Sequence, residues 1–166
     1  GGVGVARRLY FLRHGRAVSR ADWSGDDGLR PLTPEGEAAM AREARTIAAL
    51  GLGLGAIVTS PLARARRTAE IVAEALGDGT SVVDDRRLAP GFDGAALRAV
   101  VAELGAPKAL MLVGHEPDFS TVVGALVGGA RVVCKKGGLA RVDAAGADLK
   151  AAELVWLLPP SQLGGG

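Results

Sequence analysis

Short apolar runs alternate with amphipathic segments along the chain, and this alternation restricts the folds that it can adopt. The apolar runs predict strands at residues 8–13, 54–59, 81–84, 108–113, 138–143 and 151–158. Strands that alternate with helices are typical of an α/β fold with a parallel sheet. The last two runs are joined by a turn around residues 143–148, which favours an antiparallel pair. We therefore expect a three-layer α/β sandwich with a mostly parallel central sheet, an antiparallel edge and helices on both faces.

Four segments between these runs carry helix signals. Thr33 and Ser60 are predicted N-caps, and each is followed by a proline at the first helical position. Gly77 is expected to end the second helix. The other two helices are expected at residues 94–104 and 117–127.

Composition limits the classes of protein to consider. The 166 residues fit one domain, 1–166, and a hydrophobic content of 48% is enough for one sizeable core. The net charge of +2 and the aromatic content of 4% argue against a nucleic-acid partner. No apolar stretch is long enough for a membrane span, so we expect a cytoplasmic protein without a membrane partner, and a monomer is compatible with the composition.

Neither a metal nor a cofactor is expected. One cysteine and two histidines are too few for a Cys/His metal cage. The GLGLG stretch at residues 51–55 follows a predicted helix and precedes a strand, which is the wrong order for a dinucleotide-binding turn. The carboxylates of the polar segment ADWSGDDGLR, residues 21–30, are expected to be solvated, and the glycine-rich ends are expected to fray.

Unusual polar residues follow three of the predicted strands. Arg13 ends the first strand and His14 follows it, Ser60 follows the second, and His115 and Glu116 come after the run ALMLV. Ligands of parallel α/β sheets bind outside the carboxyl ends of the strands, where such loops converge. Both histidines of the chain therefore fall at the same end of the sheet.

An arginine on the second predicted helix completes this group. Arg64 lies one turn into that helix, and helical side chains lean toward the helix N-terminus, so it is expected to point toward Arg13. Two guanidinium groups suit the oxygens of a phosphoryl group. A neutral histidine in such a pocket can attack phosphorus while the arginines stabilise the negative charge.

Three segments carry a resemblance to a known family. LYFLRHGRA resembles the Arg-His-Gly motif of the histidine phosphatase superfamily, whose members include phosphoglycerate mutase. TSPLARARRTAEIV is similar to the helix with that family's second arginine, and LVGHEP resembles the segment with its second histidine. The short length and the RPLTPEG segment are most similar to the SixA branch of small phosphohistidine phosphatases.

This resemblance implies roles for individual residues. His14 becomes the nucleophile that is transiently phosphorylated, while Arg13, Arg64 and His115 bind the phosphoryl group. Ser60 is a further candidate substrate contact. Arg16 departs from the family, which often has an acidic or amide residue there, and it is either an anion contact or a solvated side chain.

The proton donor is left open, because the family uses carboxylates at two different places. One candidate is Glu116, the carboxylate directly after the second histidine. The alternatives are one of the downstream aspartates or no dedicated donor at all. Those aspartates are Asp84, Asp85 and Asp93.

The resemblance implies a cofactor-independent phosphatase acting on a phosphorylated protein, in particular a phosphohistidine, or on a small phosphate ester. A phosphohistidine is favoured because an imidazole leaving group can take its proton from solvent, whereas an alkoxide needs a positioned donor. A non-catalytic phosphate-binding module is the alternative class. The lysines of KKGG, residues 135–138, either reach a phosphorylated substrate or are solvated on an edge strand.

Overall fold

Strands and helices alternate along the chain in this computed structural model, which describes residues 6–146 and 148–165. Its strands and α-helices are β1 (Arg7–Arg13), α1 (Pro34–Ala49), β2 (Ala56–Thr59), α2 (Ala63–Leu76), β3 (Val82–Asp84), α3 (Gly94–Glu103), β4 (Ala109–Gly114), α4 (Asp118–Leu126), β5 (Leu139–Ala145) and β6 (Ala151–Leu158). Short 3₁₀ turns occupy Asp27–Leu29, Arg86–Leu88 and Pro160–Leu163. The expected fraying of residues 1–4 and 166 concerns positions outside the described residues. For Gly164 and Gly165 the expectation is wrong, because the Gly165 N–H donates to the carbonyl of Pro160 at 2.9 Å and Arg42 donates to the carbonyl of Gly164 at 3.1 Å.

The six strands form one sheet in the order β3-β2-β4-β1-β5-β6. The first four strands in that order pair in parallel, whereas β5 pairs antiparallel with β1 and with β6. The predicted α/β class, with its mostly parallel sheet and antiparallel edge, is confirmed.

Alternate residues of β1 show why the sheet is covered on both faces. Successive side chains of a strand point to opposite sides. Leu9 and Phe11 pack in a cluster that includes residues of α3 and α4, while Tyr10 and Leu12 pack in a second cluster with residues of α1 and α2. Two hydrophobic layers therefore enclose the sheet, as the three-layer prediction requires. No helix in the described ranges is both long enough and apolar enough to cross a membrane.

The first helix begins where its sequence predicts. The Thr33 hydroxyl accepts the backbone N–H of Gly36 at 2.9 Å, and Pro34 is the first helical residue. A Cβ at Gly36 would lie 2.1 Å from the carbonyl oxygen of Arg16, so only glycine fits at this contact between α1 and the segment after β1.

The predicted start of the second helix is wrong. Its N-cap is Leu62 and its first residue is Ala63, so Ser60 is not a helix cap. The Ser60 hydroxyl accepts the N–H of Leu62 at 3.2 Å and also contacts His115, which holds the chain in a turn before the helix begins. The predicted end is correct, because Gly77 is the C-cap with a φ of +62°.

Candidate active site

The strand register brings three strand ends to one edge of the sheet. Because β4 lies between β2 and β1, Thr59 is level with Val113, and Arg13 is level with Gly114. The residues that follow these strands, among them Ser60 and His14, are therefore neighbours. The backbone N–H of His14 donates to the Gly114 carbonyl at 3.1 Å, which fixes the start of the loop after β1.

His14 is buried, and its contacts define which ring nitrogen can react. Its Nδ1 lies 2.7 Å from the carbonyl oxygen of Gly15. Because a carbonyl can only accept, Nδ1 carries the proton and Nε2 keeps its lone pair. Burial lowers the pKa of His14 to about 3, and the charges of Arg64 and Arg13 contribute in the same direction. The imidazole is therefore neutral near pH 7 and has a nucleophilic nitrogen.

His115 stands beside His14 in the same site. The two ring centroids are 5.2 Å apart, and Nε2 of His115 lies 2.7 Å from the Ser60 hydroxyl oxygen. Burial lowers the pKa of His115 to about 4, and the positive charge of Arg64 adds to this effect. The His115 ring is therefore neutral near pH 7 and acts in the site as a hydrogen-bonding group.

Two arginines supply the positive charge of the site. Arg64 is 2% exposed, and Arg13 donates from Nη1 to the carbonyl of Cys134 at 3.0 Å. The Nε of each arginine is buried without a hydrogen-bond partner in the part of the chain that the structure describes. A buried N–H without an acceptor is costly, and an anionic oxygen is the acceptor that suits a guanidinium group. The two arginines thus fit the oxygens of a phosphoryl group.

Thr68 connects the loop after β1 to α2. Its hydroxyl donates to the carbonyl of Arg64 at 2.8 Å and accepts the N–H of Gly15 at 3.1 Å. This single side chain therefore fixes the spacing between the His14 loop and the helix that carries Arg64. Sequence reasoning gave Thr68 no role, although it lies in the segment TSPLARARRTAEIV, four residues after Arg64 and on the same helix face.

The expectation that the carboxylates of residues 21–30 are all solvated is wrong for Asp27. Asp27 accepts from Arg30 Nε at 2.9 Å and from Arg64 Nη2 at 3.1 Å, and its backbone carbonyl accepts from Arg64 Nη1 at 2.9 Å. These partners, Arg30 first, lower the pKa of Asp27. The polar segment folds back onto α2, so its carboxylate pairs with an arginine 37 positions away.

Glu116 faces the beginning of α4. Its Oε1 accepts the N–H of Ser120 at 2.8 Å, and its Oε2 accepts the Ser120 hydroxyl. The Ser120 hydroxyl in turn accepts the N–H of Cys134, whose carbonyl binds Arg13. Glu116 thus supports the segment that positions Arg13, and its role as a proton donor stays a prediction.

The three candidate aspartates also have partners. Asp84 forms an ion pair with Arg66. Asp85 lies 2.7 Å from Arg87, and Asp93 caps α3 by accepting the N–H of Ala96 at 2.9 Å. Each carboxylate is engaged in a structural contact.

Arg16, Lys135 and Lys136 lie beside the histidine site rather than in it. They line a recess of about 520 Å³ that also includes Arg13 and Gly15. Both lysines precede β5 and are exposed, so they are not edge-strand residues. In the ranges 6–146 and 148–165, no group of three or more His, Cys, Asp or Glu residues is arranged to hold a metal ion.

Together, the strand-end histidines and arginines form a positively charged site at one edge of the α/β sheet, and such a site suits a phosphoryl group. The profile of the Histidine phosphatase superfamily (branch 1) matches residues 9–90. An uncharacterised protein of Picosynechococcus sp. is 42% identical over 149 residues, which is 82% of this chain and 88% of the relative. A probable phosphoglycerate mutase of Klebsiella pneumoniae is 39% identical over 89 residues, 49% of this chain and 36% of the relative.

Solved structures match almost the whole chain. The protein histidine phosphatase SixA complexed with tungstate has a TM-score of 0.80 and 24% identity, covering 94% of this chain and 99% of that chain. A Nakamurella multipartitia protein assigned as a SixA phosphohistidine phosphatase has a TM-score of 0.73 and 26% identity, covering 96% and 99%. The chain belongs to the histidine phosphatase superfamily, and its fold is that of the SixA-like branch.

Proposed function

We propose that this protein is a phosphatase that works through a phosphohistidine on His14, and that its substrate is a phosphohistidine of another protein. The observation that carries the proposal is the contact of the buried His14 ring, whose Nδ1 lies 2.7 Å from the Gly15 carbonyl oxygen, so that Nε2 of the neutral ring keeps its lone pair. A neutral imidazole beside two arginines is suited to attack on phosphorus.

In the first step, Nε2 of His14 attacks the substrate phosphorus. A bond forms between Nε2 and phosphorus while the bond from phosphorus to the leaving group breaks. Arg13 and Arg64 bind the equatorial oxygens, and their unpartnered Nε groups become hydrogen-bond donors to these oxygens. We expect His115, whose ring lies 5.2 Å from that of His14, to form a hydrogen bond with one of the same oxygens.

In the second step, water attacks the phosphorus of phospho-His14. The Nε2–phosphorus bond breaks, the electron pair returns to Nε2, and the water yields its proton to solvent as inorganic phosphate forms. The enzyme is then back in its starting state. The same arginines stabilise the charge in both steps, because the phosphoryl group stays in place throughout.

The leaving group decides between the two substrate classes. The carboxylates considered as acids are each bonded to another residue: Asp84, Asp85, Asp93 and Glu116. A phosphohistidine substrate can leave after protonation from solvent, whereas an alkoxide needs a positioned donor. The engaged carboxylates therefore favour a phosphohistidine.

A small phosphate ester is the second candidate. The chain is 36% identical over 90 residues to a 2-carboxy-D-arabinitol-1-phosphatase of Triticum aestivum, covering 53% of this chain and 16% of that relative. The similarity to a probable phosphoglycerate mutase points in the same direction. For such a substrate, Glu116 is the donor to test first.

The test is rapid-quench trapping with a phosphohistidine protein labelled on its phosphoryl group. We expect label on the peptide that contains His14, stable to alkali and lost in acid, and none in His14→Ala. We also expect faster phosphate release from the phosphohistidine protein than from a sugar phosphate or an aryl phosphate, unchanged by a chelator. Label on another residue, or full activity of His14→Ala, contradicts the mechanism.

A further inference from the structure

A basic recess lies next to the histidine site, and Arg13 is the one residue of its lining to which the proposed mechanism gives a role. Its volume is about 520 Å³. Five cationic side chains and two carboxyl groups line it: Arg13, Arg16, Arg42, Lys135, Lys136, Glu35 and Glu43.

The recess adjoins the phosphoryl site and shares Arg13 with it. The N–H of Gly137, in the turn that carries both lysines, is shared between the carbonyls of Arg13 at 3.0 Å and His14 at 3.2 Å. Arg13 itself belongs to both places, because it lines the recess and lowers the pKa of His14. A group bound in the recess therefore lies within the reach of a substrate whose phosphorus is at His14.

The cations of the recess outnumber its carboxyl groups. Within the described ranges, none of the five cations forms an ion pair with a carboxylate. Arg42, for example, donates to the carbonyl of Gly164 at 3.1 Å instead. By contrast, Arg66 and Arg67 on α2 are each paired with carboxylates. Unpaired cations that share a concave surface attract an anion.

The inner wall of the recess adds a hydrogen-bond donor. Glu43 is 2% exposed, and its Oε2 has no partner among the residues that the structure describes. Burial raises the pKa of Glu43 to about 8, so the carboxyl group is mostly protonated near neutral pH. It then offers an O–H donor and adds little negative charge. The wall is tight, since a Cβ at Gly137 would lie 2.5 Å from Glu43 Oε1.

We infer that this recess is a second anion subsite, which binds a carboxylate or phosphate group that the substrate carries beside its reacting phosphoryl group. The inference rests on the proposed function, because it assumes that the reacting phosphorus lies at His14. The second anion comes either from an acidic side chain next to a phosphohistidine or from a second acidic group on a small ester.

Binding of two phosphonates tests the subsite without turnover. Phenylphosphonate and 3-carboxyphenylphosphonate differ only in the second anionic group, and their affinities are measured by calorimetry. We expect the carboxylated compound to bind about tenfold more tightly, as is usual for a hydrogen bond between charged groups. Lys135→Gln/Lys136→Gln should remove this preference. Arg16→Gln, which changes a separate segment of the wall, should weaken it.

Lys108→Gln is the matched control, because this exposed lysine precedes β4 at the opposite end of the sheet. It should leave the preference unchanged. The second arm compares kcat/KM for two phosphohistidine peptides that carry Glu or Gln next to the phosphohistidine. A preference in the peptides alone identifies a protein source for the anion, and a preference in the phosphonates alone identifies a small ester.

The subsite is overturned if the two phosphonates bind equally and the two peptides have equal kcat/KM. It is also overturned if the preference for the second anion persists in the double lysine variant. The proposed function fails in a different way, through the absence of label on His14. A labelled His14 with no preference in either arm therefore contradicts the subsite alone. A preference for the carboxylated phosphonate without any labelled His14 supports an anion subsite and contradicts the phosphatase mechanism.

Discussion

The two histidines of the site have different contacts and therefore different expected roles. Nδ1 of His14 donates to a main-chain carbonyl, which leaves Nε2 as the nitrogen with a free lone pair. Nε2 of His115 contacts the Ser60 hydroxyl, so His115 is held by its neighbour. This asymmetry favours His14 as the nucleophile and His115 as a group that stabilises charge.

Alanine substitutions should separate these roles. We expect His14→Ala to abolish phosphate release, because no other group can form the covalent intermediate. His115→Ala and Arg64→Ala should each lower kcat by roughly 10²- to 10³-fold, since each removes one of several groups that stabilise the same charge. Steady-state kinetics with an aryl phosphate measures both effects. Equal losses in all three variants would contradict the assignment of the nucleophile.

At the scale of elements, the loop after β1 is held to α2 by Asp27 as well as by Thr68. Asp27 accepts hydrogen bonds from Arg30 and Arg64, so it both closes the loop and orients an arginine of the site. Asp22, in the same loop, contacts Ser19 instead. These two aspartates form a matched pair for mutation.

Asp27→Asn should loosen the loop and weaken catalysis. Removing the charge weakens both arginine contacts, and we expect kcat/KM to fall about tenfold because Arg64 is less well oriented. Trypsin should also cleave after Arg20 more rapidly, as a less stable local segment opens more often. Asp22→Asn should change neither measurement. An unchanged cleavage rate in Asp27→Asn would show that the pairing does not hold the loop.

Gly36 tests the contact between α1 and the segment after β1. In Gly36→Ala, the new Cβ would meet the Arg16 carbonyl at 2.1 Å, so backbone must move. We expect a loss of roughly 1–3 kcal/mol in the free energy of unfolding, measured by urea denaturation. Gly94→Ala at the start of α3 is the control, because its Cβ meets only the flexible end of Arg98. That variant should be neutral or slightly stabilising, and equal losses in both variants would contradict the argument.

At the scale of the whole molecule, three buried groups determine how stability varies with pH. Burial lowers the pKa of His14 to about 3 and of His115 to about 4, both from 6.5. Their contribution to the free energy of unfolding is present above pH 6.5 and is lost as the pH falls, because the unfolded chain binds more protons than the folded chain. Glu43 has the opposite sign, since its pKa rises from 4.5 to about 8 on folding. Its contribution is present below pH 4.5 and is lost as the pH rises to about 8.

The free energy of unfolding should therefore reach its maximum near pH 6.5. Between pH 4.5 and 6.5, the two histidines raise the free energy of unfolding with pH by more than Glu43 lowers it, so stability rises. Between pH 6.5 and 8, Glu43 alone still changes its contribution, so stability falls. Urea denaturation across pH 4.5–8.5 measures this curve. Glu43→Gln should remove the fall above pH 6.5 while keeping the rise below it. A fall of the same size in Glu43→Gln would show that another group is responsible.

The sequence by itself was sufficient to predict the α/β class, the alternation of strands and helices along the chain, and the group of residues at the strand ends. Hydrophobic periodicity and helix signals depend on neighbours along the chain, so they can be read locally. Arg13, His14 and His115 lie within two residues of the end of an apolar run, and parallel strands place such residues at one edge. The start of α2 was the local error, because Ser60 has a partner that only the folded chain supplies.

Tertiary structure alone decided the contacts that join distant parts of the chain. Asp27 reaches Arg64 across 37 positions, and Arg13 reaches the carbonyl of Cys134 across 121. No local pattern encodes such pairs, because each depends on how loops pack over the sheet. The pKa shifts that make His14 and Glu43 neutral could not be predicted from the sequence either. They result from burial, and burial is a property of the packed molecule.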